Sequence, residues 1–225
     1  MSPLHPADAA ELDRLLRWAG EADVPGVLGA PRVPPGTTGG AETGRAAIDT
    51  VAAHCHVDHV ATLVFPATVV EAEAYLLRRR WTPTSTVPSV VVRRRLADRY
   101  GLDHRQLDVS IVHASAPGAA GVELFCLPPT AATRPAIDGE RRWHRERHTA
   151  LLVEAPSERL LDELRSLLTG PLAMRADGGG HNPHEGPESG GRTVLYFRPA
   201  TGSRLELTCR GDFTPVVARH LDGER

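Results

Sequence analysis

Aromatic side chains are scarce in this chain: phenylalanine, tryptophan and tyrosine together make up 4 % of 225 residues. A protein whose only task is to sequester a flat small molecule lines its pocket with such rings, so a pure drug-binding module ranks last among the function classes. Cysteine is also sparse. Cys55, Cys126 and Cys209 are odd in number, far apart, and in no C-x-x-C pair, which reads as reduced core thiols of a cytoplasmic protein. No apolar run approaches the ~18 residues of a membrane span, and the start MSPLHPADAAELDRLL lacks a basic segment followed by an apolar one. The expectation is a soluble protein with no membrane partner. An excess of positive charge is missing too: 26 basic against 28 acidic residues leave a net −2, which argues against nucleic acid as a partner. The arginines at 78–80 and 93–95 then read as parts of a mixed surface.

What is present is a patterned chain long enough for a sizeable core. Residues 7–20 place Leu12, Leu15, Leu16 and Ala19 at helical spacing. The Pro- and Gly-rich stretch 24–43 reads as an irregular loop. From His59 the text changes. HVATLVFPA reads as a strand, VVEAEAYLLRRRW as a helix, and LDVSIVHAS and GVELFCLPP as two further strands, with VVVRRRLADRYGL a helix or a strand passing into one.

The second half repeats this order. HTALLVEA is a strand, PSERLLDELRSLL a helix opened by Pro156 and Ser157, and PLAMRAD, RTVLYFRP and SRLELTCRG are three strands. Laying His59 on His148 aligns the two copies without a gap up to the helix, and both end on a similar phrase, VELFCL against LELTCR. Internal duplication is the simplest account. The division that follows is an N-terminal extension over 1–56, a first βαβββ module over 57–128, a linker over 129–147, a second module over 148–212 and a tail over 213–225. Residues 178–191, GGGHNPHEGPESGG, read as a glycine-rich loop.

Side chains alternate across a strand, so faces can be read from the letters. Leu205, Leu207 and Cys209 share one face and Glu206 and Thr208 the other; His148 shares a face with Ala150 and Leu152; Tyr196 shares one with Val194 and Arg198. The fold class expected is α+β: two βαβββ modules paired as a half-open mixed β-barrel, helices outside, with His59, Glu123, His148 and Glu206 gathered inside. Two carboxylates on that face cost several kcal/mol if unpaired, and a bound metal removes the cost.

This order, with a His opening the first strand and a Glu in the last, resembles the vicinal oxygen chelate superfamily of glyoxalases, epimerases, ring-cleaving dioxygenases and antibiotic-resistance proteins. The likeness covers roughly residues 57–212. Within it the chain is more similar to the type I extradiol dioxygenases. RERHTALL around His148 resembles the segment carrying their second ligand; Gly180, His181 and Asn182 resemble their G-R-H-x-N loop; Tyr196 stands ten residues before Glu206, as their active-site tyrosine does before the ligand glutamate. The resemblance implies His59, His148 and Glu206 as ligands of Fe(II), with His181 and Tyr196 catalytic. It departs at Pro183-His184, in place of an acidic position, and in lacking a separate N-terminal two-module domain.

A competing resemblance sits at HCHVDHV, residues 54–60, whose H-x-H-x-D-H is similar to the zinc signature of the metallo-β-lactamase fold. That site needs a later G-H-T-P-G-like turn and a final His, for which GGHNPHEG is a poor match, and His59 runs into an apolar strand. His54 and His56 are therefore read as surface residues and His59 as the working member.

Two imidazoles and one carboxylate on one face of an octahedron suit a non-haem Fe(II) oxygenase. The expected reaction is dioxygenation of a catechol-like aromatic by O₂, with His181 as acid/base, Tyr196 bonding a substrate oxygen and Arg198 facing a substrate carboxylate. If Glu123 is a fourth ligand, a glyoxalase- or epimerase-like isomerase or lyase using Zn, Ni or Mn is the alternative. His113 reads as a core histidine or a proton carrier, and His144 as solvent-facing. A homodimer is compatible with the sequence and marked by no particular residue.

Overall fold

The computed structural model describes residues 4–29, 40–183, 185, 187–200 and 202–222. In chain order its elements are α1 (Pro6–Glu21), α2 (Val24–Leu28), α3 (Gly40–His54), β1 (Cys55–Val64), α4 (Val69–Arg78), β2 (Thr82–Pro88), α5 (Val90–Tyr100), β3 (Ser110–Ser115) and β4 (Gly121–Cys126). Then come α6 (Arg134–Trp143), β5 (His148–Val153), α7 (Glu158–Thr169), β6 (Arg175–Asn182), β7 (Arg192–Arg198), β8 (Arg204–Arg210) and α8 (Thr214–Asp222). The chain is α+β, and the βαβββ order occurs twice, the first time with α5 inserted after β2. It divides into two compact units, residues 1–21 with 59–148 and residues 22–58 with 149–225.

In the first unit the strands lie in the order β2-β3-β4-β1. β1 and β4 are parallel, with Ala61 beside Glu123 and Leu63 beside Phe125. β3 runs antiparallel to both β2 and β4. Alternation sorts β1 into two faces. Val60 and Val64 join Leu12, Leu15 and Leu16 of α1 and Ala72 and Leu76 of α4. Ala61 and Leu63 join Phe125, Val92 and Leu96 of α5, and Ala136 and Ile137 of α6.

Both faces of this part of the sheet are covered. VATLVF is apolar on both faces, and an apolar inner face left open to water has to be covered. The cover comes from α5 and from α6, a helix inside the stretch read as a linker. Close approach of these two depends on Gly139, where a Cβ would lie 2.4 Å from Cε1 of Tyr100.

Within the first unit α1 is tied to the sheet and to α4. The Ala120 N–H donates to the Ala19 carbonyl at 3.0 Å, and the Tyr75 hydroxyl donates to Ala9 O at 2.8 Å. α2 and α3, in and beside the stretch read as loop, pack within the second unit through Val24, Leu28, Ile48 and Val51.

The second unit's strands lie in the order β5-β8-β7-β6, with β7 antiparallel to β6 and β8. Leu195, Phe197, Leu205, Leu207 and Cys209 turn to one face and bury against Leu161, Leu164 and Leu168 of α7 and Val216 and Val217 of α8. α7 begins where the sequence places it: the Ser157 hydroxyl accepts the Leu160 N–H at 3.2 Å, capping the first turn. The loop expected over 178–191 is strand as far as Asn182, carried by Gly178 at φ +95° and a register shift between Ala176 and Gly179. Only glycine enters that conformation at little cost. The tail carries α8.

Candidate metal centre

His59 lies on β1 and His148 opens β5, and the first unit brings the two together. Their rings meet edge to face, with centroids 5.5 Å apart and an interplanar angle of 80°. Both residues are buried, at 6 % and 4 % exposure. Phe125 closes one side of His148, with ring centroids 6.1 Å apart. The inner face of this sheet is thus polar at the His59 end and apolar where α5 and α6 cover it.

The Nδ1–H of His148 donates to the Glu146 carbonyl at 3.0 Å. A carbonyl can only accept, so the proton sits on Nδ1 and the lone pair on Nε2, the tautomer a metal-ligating imidazole uses.

Glu123, on β4, joins this pair. Register puts it directly between Ala61 on β1 and His113 on β3. Its Oε2 is 3.6 Å from His59 Nε2 and its Oε1 3.4 Å from His113 Nε2, while the side chain retains 18 % exposure. Ser85 Oγ lies 2.9 Å from His113 Nδ1. Burial works against the Glu123 charge, but the neighbouring imidazoles of His59, His113 and His148 outweigh it and hold the carboxyl down at about 2. The donors are imidazole nitrogen and carboxylate oxygen, the set that suits first-row divalent ions. The buried His59 and His148 therefore supply two nitrogen donors of such a set.

His113 stands ten residues before Glu123, as Tyr196 stands ten before Glu206, and each is directly opposite its glutamate across an antiparallel pair. The duplication thus extends to these positions. That spacing is the signal that would have placed His113, read as a core histidine or a proton carrier, beside Glu123.

In the second unit Glu206 is 5 % exposed on β8. On the same strand face Thr208 accepts a hydrogen bond from Arg192 Nε at 2.6 Å. Arg192, which the sequence did not single out, also reaches Asp58 Oδ2 at 2.6 Å and Glu185 Oε1 at 2.8 Å. Burial opposes its charge; Asp58, Glu185 and Glu206 hold its pKa above the ordinary guanidinium value. Tyr196 is half-buried on β7, with the Arg204 guanidinium 5.1 Å from its ring centroid. His181 is half-buried on β6, its Nδ1 3.4 Å from Thr193 Oγ1. Arg198 pairs with Asp177 at 2.9 Å, so a substrate carboxylate would have to share it.

The HCHVDHV stretch is dispersed. His54 ends α3 and is exposed, His56 pairs at 3.0 Å with Glu154, and Asp58 belongs to Arg192. His184 lies outside the described residues.

No protein-family profile matches this chain, and no curated protein does. Among solved structures it is similar to a glyoxalase family protein from Bacillus cereus, at 19 % identity and a TM-score of 0.25, covering 69 % of this chain and 93 % of that one. It is also similar to the 2,3-dioxygenase LapB from Pseudomonas sp. KL28, at 10 % identity and a TM-score of 0.23, with coverages of 69 % and 92 %. Superpositions this loose carry no argument about chemistry.

Proposed function

We propose that this chain is a metal-dependent enzyme of the vicinal oxygen chelate type, in which His59, His148 and Glu206 hold Fe(II). Its reaction would be extradiol-type dioxygenation of a catechol or related vicinal dioxygenated aromatic by O₂. The observation that carries the reading is the buried, edge-to-face pair of His59 and His148, with His148 held in the ligating tautomer. The three named residues are buried and each offers one ligand atom. Glu206 is also the counterpart, in the duplicated order, of the glutamate beside His59.

An iron in such a set supplies chelation of both catechol oxygens and electron transfer to O₂. The chain's own residues would do the rest. His181 moves a proton at the substrate, Tyr196 donates a hydrogen bond to a substrate oxygen, and the apolar wall of Phe125, Ala61 and Leu63 limits water.

A second reading has an observation of its own. Glu123 Oε2 stands 3.6 Å from His59 Nε2. Were Glu123 a fourth ligand, two carboxylates would neutralise a divalent Zn, Ni or Mn, and one of them could shuttle a proton in an isomerase or lyase. Metal analysis of protein purified anaerobically, followed by oxygen uptake with a panel of catechols, separates the two. Iron with uptake supports the dioxygenase, zinc or nickel without uptake supports the isomerase, and absence of any metal overturns both.

A further inference from the structure

The charged run RRWHRER, residues 141–147, ends on the residue before His148, and the first unit pins it at point after point. Arg141 pairs with Asp8 at 2.8 Å, and Arg147 with Glu11 at 3.5 Å. The Arg145 N–H donates to Glu140 Oε2 at 2.9 Å, and the Tyr100 hydroxyl donates to the same carboxylate at 2.8 Å. Glu146 is 1 % exposed. Its carboxylate is held by Arg99 at 2.8 Å and Arg95 at 3.4 Å, both from α5.

Burying a carboxylate this deeply is costly, and the paired charges return little net stability over an apolar core. What such a network does supply is a fixed geometry. The group it fixes is the Glu146 backbone, whose carbonyl takes the Nδ1 proton of His148.

We infer that Glu146, clamped by Arg99 and Arg95, is a positioning residue for His148: its buried side chain holds its own carbonyl where it sets the tautomer and direction of the imidazole. The consequence for metal affinity rests on the reading of His148 as a ligand; the consequence for the tautomer does not. Outer groups that orient a ligating imidazole are worth 10–100-fold in metal affinity in general. α5 is then more than a cover over Ala61 and Leu63, since Arg95 and Arg99 carry the geometry of the ligand.

Two measurements on the full chain test this, with Glu146→Gln and the milder Arg95→Met as variants and Asp8→Asn as control. Asp8→Asn loosens the far end of the same run through Arg141 without touching Glu146. The first measurement is ¹⁵N NMR of the His148 imidazole in metal-free protein. The wild type and Asp8→Asn are expected to hold the Nδ1–H tautomer, while both clamp variants mix the two. The second is Zn(II) affinity by chelator competition, expected to fall about 10–100-fold in Glu146→Gln, less in Arg95→Met, and not in Asp8→Asn. An unchanged tautomer in the clamp variants overturns the inference, as does an equal loss of affinity in Asp8→Asn. Failure of the wild type to bind Zn(II), with the tautomer change still present, overturns the ligand reading and leaves the positioning role supported. Should Glu146→Gln not fold, Arg95→Met decides.

Discussion

Replacing Glu123 by Gln removes the charge on which His59, His113 and His148 converge while keeping the shape of the side chain. In metal-free protein the carboxyl is depressed from an ordinary 4.5 to about 2. A folded-state pKa below the unfolded one means stability that is fully present above the unfolded value and lost as pH falls through the folded value. The drop corresponds to about 3 kcal/mol. Because the side chain is 18 % exposed, little of that is removed by solvent screening. Urea unfolding of wild type and Glu123→Gln, run from about pH 6 to about pH 2, isolates the contribution, since every other carboxylate is common to both proteins. The wild type is expected to be more stable by up to ~3 kcal/mol at the upper end, with the difference closing between 4.5 and about 2. A difference that stays constant across that range would refute the convergence of His59, His113 and His148 on Glu123.

Two further predictions concern the frame of the second unit. Gly191 sits at φ +90°, where a Cβ would lie 2.5 Å from His181 Cε1 and 2.7 Å from the Asn182 carbonyl, so Gly191→Ala should cost ~1–3 kcal/mol in thermal unfolding. A variant as stable as wild type would contradict the close seating of His181. Leu164 on α7 is fully buried, and Leu164→Ala should cost ~2–5 kcal/mol by denaturant titration; a loss below ~1 kcal/mol would argue that α7 does not seal the β7–β8 face.

Those elements also mark what the sequence could reveal. α1, α4 and α7 carry leucines at helical spacing, and β1, β4, β5, β7 and β8 carry runs that only a strand buries well, so each was legible. β2 was not. TPTSTVP offers no apolar alternation and two prolines, which an edge strand pairing only with β3 tolerates. β6 was read too early, as PLAMRAD, because its three consecutive glycines, the feature that lets it bulge, look like loop. α6 was masked by charge: RPAIDGERRW keeps a narrow apolar face of Ala136 and Ile137, and its glycine, usually a break, is what lets Tyr100 approach. α3 and α8 are small-residue or mixed stretches whose helical state is decided by packing into the second core.

In the candidate site, His59, Glu123 and His148 stood out because the duplication repeats their pattern. Arg192 did not, because what makes it informative is its reach to Asp58, Glu185 and Thr208, distant in sequence and joined only by the sheet. The clamp on Glu146 was invisible for the same reason. Its partners come from α5, and a run of alternating charges looks like solvated surface until the fold buries it.

The central claim is most directly tested by the metal content per chain of wild type, Glu206→Ala and Glu123→Ala, each reconstituted anaerobically with Fe(II) and freed of excess. The account predicts one ion in the wild type, none in Glu206→Ala and one in Glu123→Ala. Loss of the ion in both variants would contradict the set of two histidines and one glutamate, and retention in Glu206→Ala would remove that glutamate from the site.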